Sequence, residues 1–122
     1  MPKFAVRGQE YDCYIAFTLD LIGGKWKTLV LWYLLDGKKR FNELRRLIPD
    51  CTQRMLTHQL RELEHDGIVT RKIYRQIPPK VEYSLTSSGE TLRPILNLSC
   101  EWGKKRAQKL NVENLHATPT LK

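Results

Sequence analysis

The sequence predicts a mainly α-helical domain carrying one small β-hairpin. Three observations predict it. Apolar residues recur at helical spacing in successive segments from Asp12 to Asp66, the pattern changes to β-branched and alternating residues between Ile68 and Leu85, and helical spacing returns after Ser87. At 122 residues, with 41% hydrophobic and 28% charged side chains, the chain has the size and balance of one globular domain with a single core.

Residues 1–10 are polar with a Pro and a Gly and are expected to form a flexible arm. Residues 11–110 form the domain, and residues 111–122, NVENLHATPTLK, a flexible tail. Within the domain, Tyr14, Phe17 and Leu21, with Ile15, Leu19 and Ile22, fall at helical spacings behind Asp12 as N-cap, until Gly23-Gly24 interrupts them. Trp26, Leu29, Val30, Tyr33 and Leu34 share one face of a second helix that Asp36-Gly37 stops. Phe41, Leu44, Leu47 and Ile48 mark a short helix, which Pro49 must end because it cannot continue the backbone ladder. Thr52 caps a further helix that turns Met55, Leu56, Leu60 and Leu63 inward and closes at Gly67.

The period then changes. Ile68 to Tyr74 is rich in β-branched residues, Val81 to Leu85 alternates, and the Pro78-Pro79 tip between them cannot be a regular ladder. Ser87 to Glu90 has capping-box spacing, and a last helix with Leu92, Ile95, Leu96, Leu98 and Trp102 follows. Pro94 in its opening turns predicts a kink or a late start. Two successive helices joined by Pro49-Asp50-Cys51, then a hairpin with a basic tip, are the layout of a winged helix-turn-helix.

Charge narrows the partners. The formal net charge is +8 and the pI about 9.6, which suits a polyanion but also serves solubility. No apolar run approaches the roughly 20 residues that cross a bilayer, and MPKFAVRGQEYD has no apolar h-region, so a cytoplasmic protein without a membrane role is expected. Cys13, Cys51 and Cys100 are odd in number, widely spaced and outside any C-x-x-C pattern, which argues against a disulfide scaffold or a cysteine zinc site. His58, His65 and His116 are too scattered to hold a metal. No nucleophile–base–orienter set proposes an enzyme, and Gly23-Gly24 is a lone pair, not a phosphate loop, so no cofactor is expected.

The helix over residues 52–66 carries the strongest signal. Opposite its apolar side stand Gln53, Arg54, Thr57, His58 and Arg61, all able to hydrogen-bond and none acidic, while Glu62, Glu64 and Asp66 come late. An acid-free N-terminal half at the positive end of the helix dipole suits a phosphate-lined groove. There Arg can grip a guanine edge, Gln an adenine, and Thr can meet a thymine methyl. Gln53, Arg54, Thr57 and His58 are therefore the expected base contacts. The bland alternative is a surface helix with late acids by chance. Arg71, Lys72, Arg75 and Lys80 face one acid, Glu82, in the hairpin, as phosphate or minor-groove contacts require; a charged hairpin could instead merely guard a sheet edge. The two basic elements in this order favour double-stranded DNA, with Lys25, Thr52, Arg61, Lys72, Arg75 and Lys80 as phosphate or wing contacts. The rival is a winged-helix protein–protein module whose basic face binds an acidic partner.

From about Cys13 to Trp102 the chain resembles the HxlR-type winged helix-turn-helix regulators, bacterial relatives of the MarR group. The matching blocks are Ile22-Gly23-Gly24-Lys25-Trp26, Arg40-Phe41-Asn42-Glu43-Leu44 after Gly37, Met55-Leu56-Thr57 with Leu60-Arg61-Glu62-Leu63-Glu64, Asp66-Gly67-Ile68-Val69, and Pro78 to Thr86 followed by Gly89. The resemblance implies a homodimer, joined through helices at both chain ends, that binds an inverted repeat as repressor or activator. Its two recognition helices would enter major grooves about 34 Å apart. It also implies an input signal, an oxidant or small-molecule inducer sensed at a cysteine near the first helix, where Cys13 stands. Tyr14 follows Cys13 where members often carry Pro. A helix start favours a thiolate, but Glu10 and Asp12 oppose one, and a small buried side chain is the equal alternative. Cys51, at the start of the recognition helix, is a candidate disulfide partner for Cys13 of the other subunit. Cys100 is expected to be packed.

Overall fold

A computed structural model of the chain describes residues 3–110, and the expected tail at 111–122 lies outside the described residues. The chain forms two compact units, one ending at Glu90 and one beginning at Thr91.

The first unit opens with a feature absent from the sequence-based expectation. Within the expected arm, β1 (Phe4–Val6) and β2 (Gln9–Tyr11) pair antiparallel, Phe4 opposite Tyr11. Arg7 and Gly8 both have positive φ (50° and 79°), as a tight hairpin turn demands. Aromatic packing holds the hairpin down. The Phe4 ring stacks on Tyr11 and Tyr14 at 5.6 and 4.5 Å and meets Phe17 edge-on at 5.6 Å.

Helix α1 (Tyr14–Ile22) begins later than expected. Its N-cap is Cys13, not Asp12, and no side chain caps it. Gly23-Gly24 then turns the chain for two separate reasons. A Cβ on Gly23 would lie 2.3 Å from the Leu19 carbonyl oxygen, and Gly24 has φ +85°. Helix α2 (Lys25–Leu34) buries Val30, Leu31 and Leu34, so its inner face is turned toward Leu31 relative to the expected stripe. Gly37, at φ +127°, ends it by donating its N–H to the Leu34 carbonyl.

A two-residue strand, β3 (Lys39–Arg40), leads into α3 (Phe41–Leu47), where the Glu43 carboxylate accepts the Arg40 backbone N–H at 2.9 Å. Pro49 follows the helix end, as expected, and the turn through Cys51 delivers α4 (Gln53–His65). β4 (Val69–Tyr74) and β5 (Lys80–Leu85) form the hairpin, with Tyr74 opposite Lys80. β3 pairs with the outer edge of β5, giving a three-stranded antiparallel sheet in the order β3-β5-β4. Residues 75–79, with both prolines, lie outside the ladder.

Leucines of α2, α3 and α4 (Leu31, Leu34, Leu44, Leu56, Leu60 and Leu63) form the core with Val30, Ile48, Ile68 and Val69. The short helix α5 (Ser87–Glu90) is capped by Thr86 rather than Ser87. The Thr86 hydroxyl accepts the Gly89 N–H at 3.0 Å and donates to the Gly67 carbonyl at 2.6 Å. In the second unit, α6 (Arg93–Lys109) starts late, as expected, with Pro94 in its first turn, where a missing N–H costs no helical bond.

Candidate nucleic-acid interface

Thr52 sets the start of α4. Its extended backbone stands outside the helix, and its hydroxyl accepts the Met55 N–H at 3.1 Å, satisfying one of the orphan donors of the first turn. Leu56, Leu60 and Leu63 then anchor the helix in the core. Met55 does not join them, contrary to expectation: it is 40% exposed, and its sulfur accepts the Gln59 side-chain amide at 3.4 Å. The buried seam runs along i, i+4 and i+7 from Leu56, and Met55 sits on its flank.

The opposite face is built as the sequence suggests. Gln53, Arg54, Thr57, His58 and Arg61 line a single open concavity. Thr57 spends its hydroxyl proton on the Gln53 carbonyl at 2.8 Å, so it offers a methyl group and an acceptor rather than a donor. Arg54 and Arg61 are exposed and form no salt bridge among the described residues.

The acids that follow are neutralised from three directions. Glu62 lies 3.1 Å from Lys27 of α2 and 3.4 Å from His58, Glu64 is 3.7 Å from Arg71 of β4, and Asp66 bonds Arg7 of the β1–β2 turn. The sequence shows these acids but not their partners, which come from elements distant along the chain. His58 thus leans toward Glu62 while still lining the concavity.

The wing is less free than its composition suggests. Arg71 is held by Glu64, and Lys80, with 25% of its side chain exposed, lies 3.6 Å from Glu82. Lys72 and Lys80 flank the Tyr74 ring at 4.9 and 4.6 Å from its centroid. Glu82 is buried on this face, and its carboxyl is held below the usual range first by a hydrogen bond from Tyr74, against the cost of burial, and then by Lys38 and Lys80. Lys72 and Arg75 are exposed, and Arg75 lies in the tip. Lys25 is exposed at the start of α2, with its ammonium 4.7 Å from the Trp26 ring centroid.

The cysteines divide. Cys13 is half-buried at the N-cap of α1 and Cys100 half-buried on α6. Cys51 is only 2% exposed, and burial pushes its thiol pKa up, outweighing the pull of Arg45. Cys51, the candidate disulfide partner of Cys13, thus stands at the start of α4 in a buried site that disfavours its thiolate. Among the described residues no group of His, Cys, Asp or Glu could hold a metal, and no helix is long and apolar enough to cross a membrane.

Two helices joined by a turn, the second presenting a cationic outer face, and a basic hairpin behind them define a winged helix-turn-helix protein. The model of the HxlR-like helix-turn-helix family matches residues 21–111. The chain is 57% identical over 99 residues to the HTH-type transcriptional regulator YdeP of Bacillus subtilis, covering 81% of this chain and 77% of that protein. It is 60% identical over 98 residues to YybR of the same organism, covering 80% and 78%. Among solved structures it resembles the reduced form of the redox regulator HypR, with TM-score 0.78, 57% identity, and coverage of 83% of this chain and all of that one. Reduced YodB from B. subtilis aligns with TM-score 0.67 at 35% identity, over 75% of this chain and 90% of that one. The chain belongs to the HxlR family: it is a transcriptional regulator of the helix-turn-helix type, and its relatives are regulators, not enzymes.

Proposed function

We propose that the chain acts as a homodimer on an inverted-repeat operator. Gln53, Arg54, Thr57 and His58 contact base edges, and Thr52, Arg61, Lys25, Lys72, Arg75 and Lys80 contact the backbone. The observation that carries this reading is the shared concavity on α4, open to solvent and bounded by acids already paired elsewhere. Pairing into a dimer is supported by two exposed apolar stripes. Tyr14, Ile15 and Leu19 on α1 are 51, 66 and 59% exposed, and Ile95, Leu98 and Trp102 on α6 are 47, 64 and 69% exposed. Selection of bound duplexes from a random pool tests the whole reading. An enriched palindrome with half-sites about one helical turn apart is expected. Weak binding that competitor DNA abolishes at physiological salt would refute it and favour an acidic protein partner.

Cys13 is the proposed input. It stands at a helix start, partly accessible, and the relatives HypR and YodB include a redox regulator and a protein solved in diamide-treated form. Oxidant treatment should change operator affinity of the wild type and leave Cys13→Ser unchanged. An equal response in both proteins would remove Cys13 from this role.

A further inference from the structure

The segments that carry the three-stranded sheet, residues 38–40 and 69–85, hold seven Lys and Arg residues and a single acid, Glu82. Glu82 stands on β5, the central strand. Its register partners are Arg40 on β3 and Lys72 on β4, and Lys80 lies two residues before it on the same face. The carboxylate is 3.6 Å from the ammonium groups of both Lys38 and Lys80, and only 11% of its side chain is exposed. Burying a charge is costly, and here hydrogen bonding does not fully offset the cost, because Oε1 accepts no hydrogen bond among the described residues. Packing alone does not call for an acid at this place, since an apolar side chain of similar size would fill it without that cost. What the carboxylate does is draw charge inward. An acid exposed on the wing would meet phosphates and repel them; beneath the cations, it lowers their outward field without facing a polyanion. Lys38 shows the effect, for 63% of its side chain is exposed and yet its ammonium turns back to Glu82.

We propose that Glu82 is a specificity-determining residue: by holding Lys38 and Lys80 it restrains the attraction of the wing for duplexes of any sequence and leaves discrimination to α4. The inference rests on the DNA reading of α4. Glu82 acts through its neighbours and faces its own cations rather than the duplex. Attraction between an ammonium and a phosphate carries no sequence information and supplies essentially all of non-specific binding. A freed ammonium therefore helps random DNA most, where the protein can settle in whatever register suits that contact. It helps the operator less, because there α4 fixes the register. Specificity is a difference between two affinities, so strengthening the weaker complex narrows it.

The test measures the affinity of the full chain, across a salt series, for the duplex it enriches from a random pool and for a scrambled duplex of equal length. Wild type is compared with Glu82→Gln, which keeps the shape and removes the charge. A second comparison, Glu101→Gln, changes the net charge equally at an exposed residue of α6. Glu82→Gln should bind the scrambled duplex about 5-fold more tightly at physiological salt, with a log–log salt slope steeper by about 0.9 for each ammonium that gains a phosphate. The ratio of operator to scrambled affinity should fall in Glu82→Gln and stay nearly constant in Glu101→Gln. Lys38→Gln should cost more scrambled binding in the Glu82→Gln background than in the wild type, a coupling that a change in packing alone would not produce. An unchanged ratio, equal gains in the two variants, or weaker scrambled binding by Glu82→Gln would overturn the assignment, and Arg54→Ala relaxing base preference would show that the reading of α4 survives it. Should Glu82→Gln fold poorly by circular dichroism, Lys38→Gln and Arg75→Gln decide in its place. With Glu82 holding Lys38, its loss costs scrambled binding less than loss of Arg75, and equal costs overturn the proposal. If the wild type enriches no duplex, the DNA reading fails and takes this inference with it.

Discussion

Truncating Arg54 separates base reading from mere charge. Arg54 lies in the first turn of α4, exposed, lining the concavity and without an ion pair among the described residues. Arg54→Ala therefore leaves the packing of the fold intact, and its effect on unfolding should stay within about 0.5 kcal/mol. The penalty falls on binding. A bidentate guanidinium–guanine pair is worth about 1–3 kcal/mol of discrimination, which is about 5- to 150-fold in affinity at one half-site. A symmetric dimer presents Arg54 twice, so affinity for the full operator should drop by up to the square of that factor. Fluorescence anisotropy against the enriched duplex and its single-base variants measures it. The variant should bind more weakly and should also stop distinguishing the base at one position of each half-site. An equal drop on every sequence would make Arg54 a phosphate contact, and no drop would show that the face of α4 is misassigned.

Other perturbations test the scaffold. Leu60, 1% exposed at the centre of the seam, should cost about 2–5 kcal/mol as Leu60→Ala, seen as a lower urea midpoint with an unchanged slope. Glu82 has its folded pKa lowered, so its contribution is present above the ordinary glutamate value of about 4.3 and is lost as pH falls through the folded value; Glu82→Gln should flatten the acid limb of the stability curve, and an identical limb would refute the pairing with Tyr74 and Lys38. Iodoacetamide followed by mass spectrometry should label Cys13 well before Cys51, and the reverse order would contradict the burial of Cys51.

The outer face of α4 was legible in the sequence because an amphipathic helix writes its orientation in its own period. Leu56, Leu60 and Leu63 point the other side outward, and Gln53 to Arg61 follow. Met55 shows the limit of that rule. It fits the apolar period, yet its place at the edge of the seam leaves it half in water, since periodicity fixes an arc and not its margin. The β1–β2 hairpin was illegible for a different reason. Its turn holds Arg7 rather than Asn or Asp at positive φ, and its stability comes from the packing of Phe4 on Tyr14 and Phe17, a contact between segments that no local signal announces. β3 is two residues long and exists only because β5 supplies an edge. Cys51 looked like a helix-start thiol by position, but burial, which depends on the third dimension, decides its reactivity.

The acids of α4 join these two kinds of information. In sequence they are three carboxylates close to a face meant for phosphates. In the fold each meets a base from a different element, Lys27 of α2, Arg71 of β4 and Arg7 of the β1–β2 turn. Each pair has at least one partner open to water, and such pairs contribute about 0–1 kcal/mol each, too little to explain the fold. Their larger consequence is electrostatic. Unpaired, Glu62, Glu64 and Asp66 would oppose the approach of a polyanion along α4; paired, they cancel locally and leave the field of Arg54 and Arg61 to dominate the groove side. On the proposed DNA reading, Lys27 and Arg71 would thus favour binding by screening these acids. Neutralising Lys27 should slow association with the operator at low salt while leaving base preference intact, because it exposes an acid beside the reading face and leaves every group on that face in place.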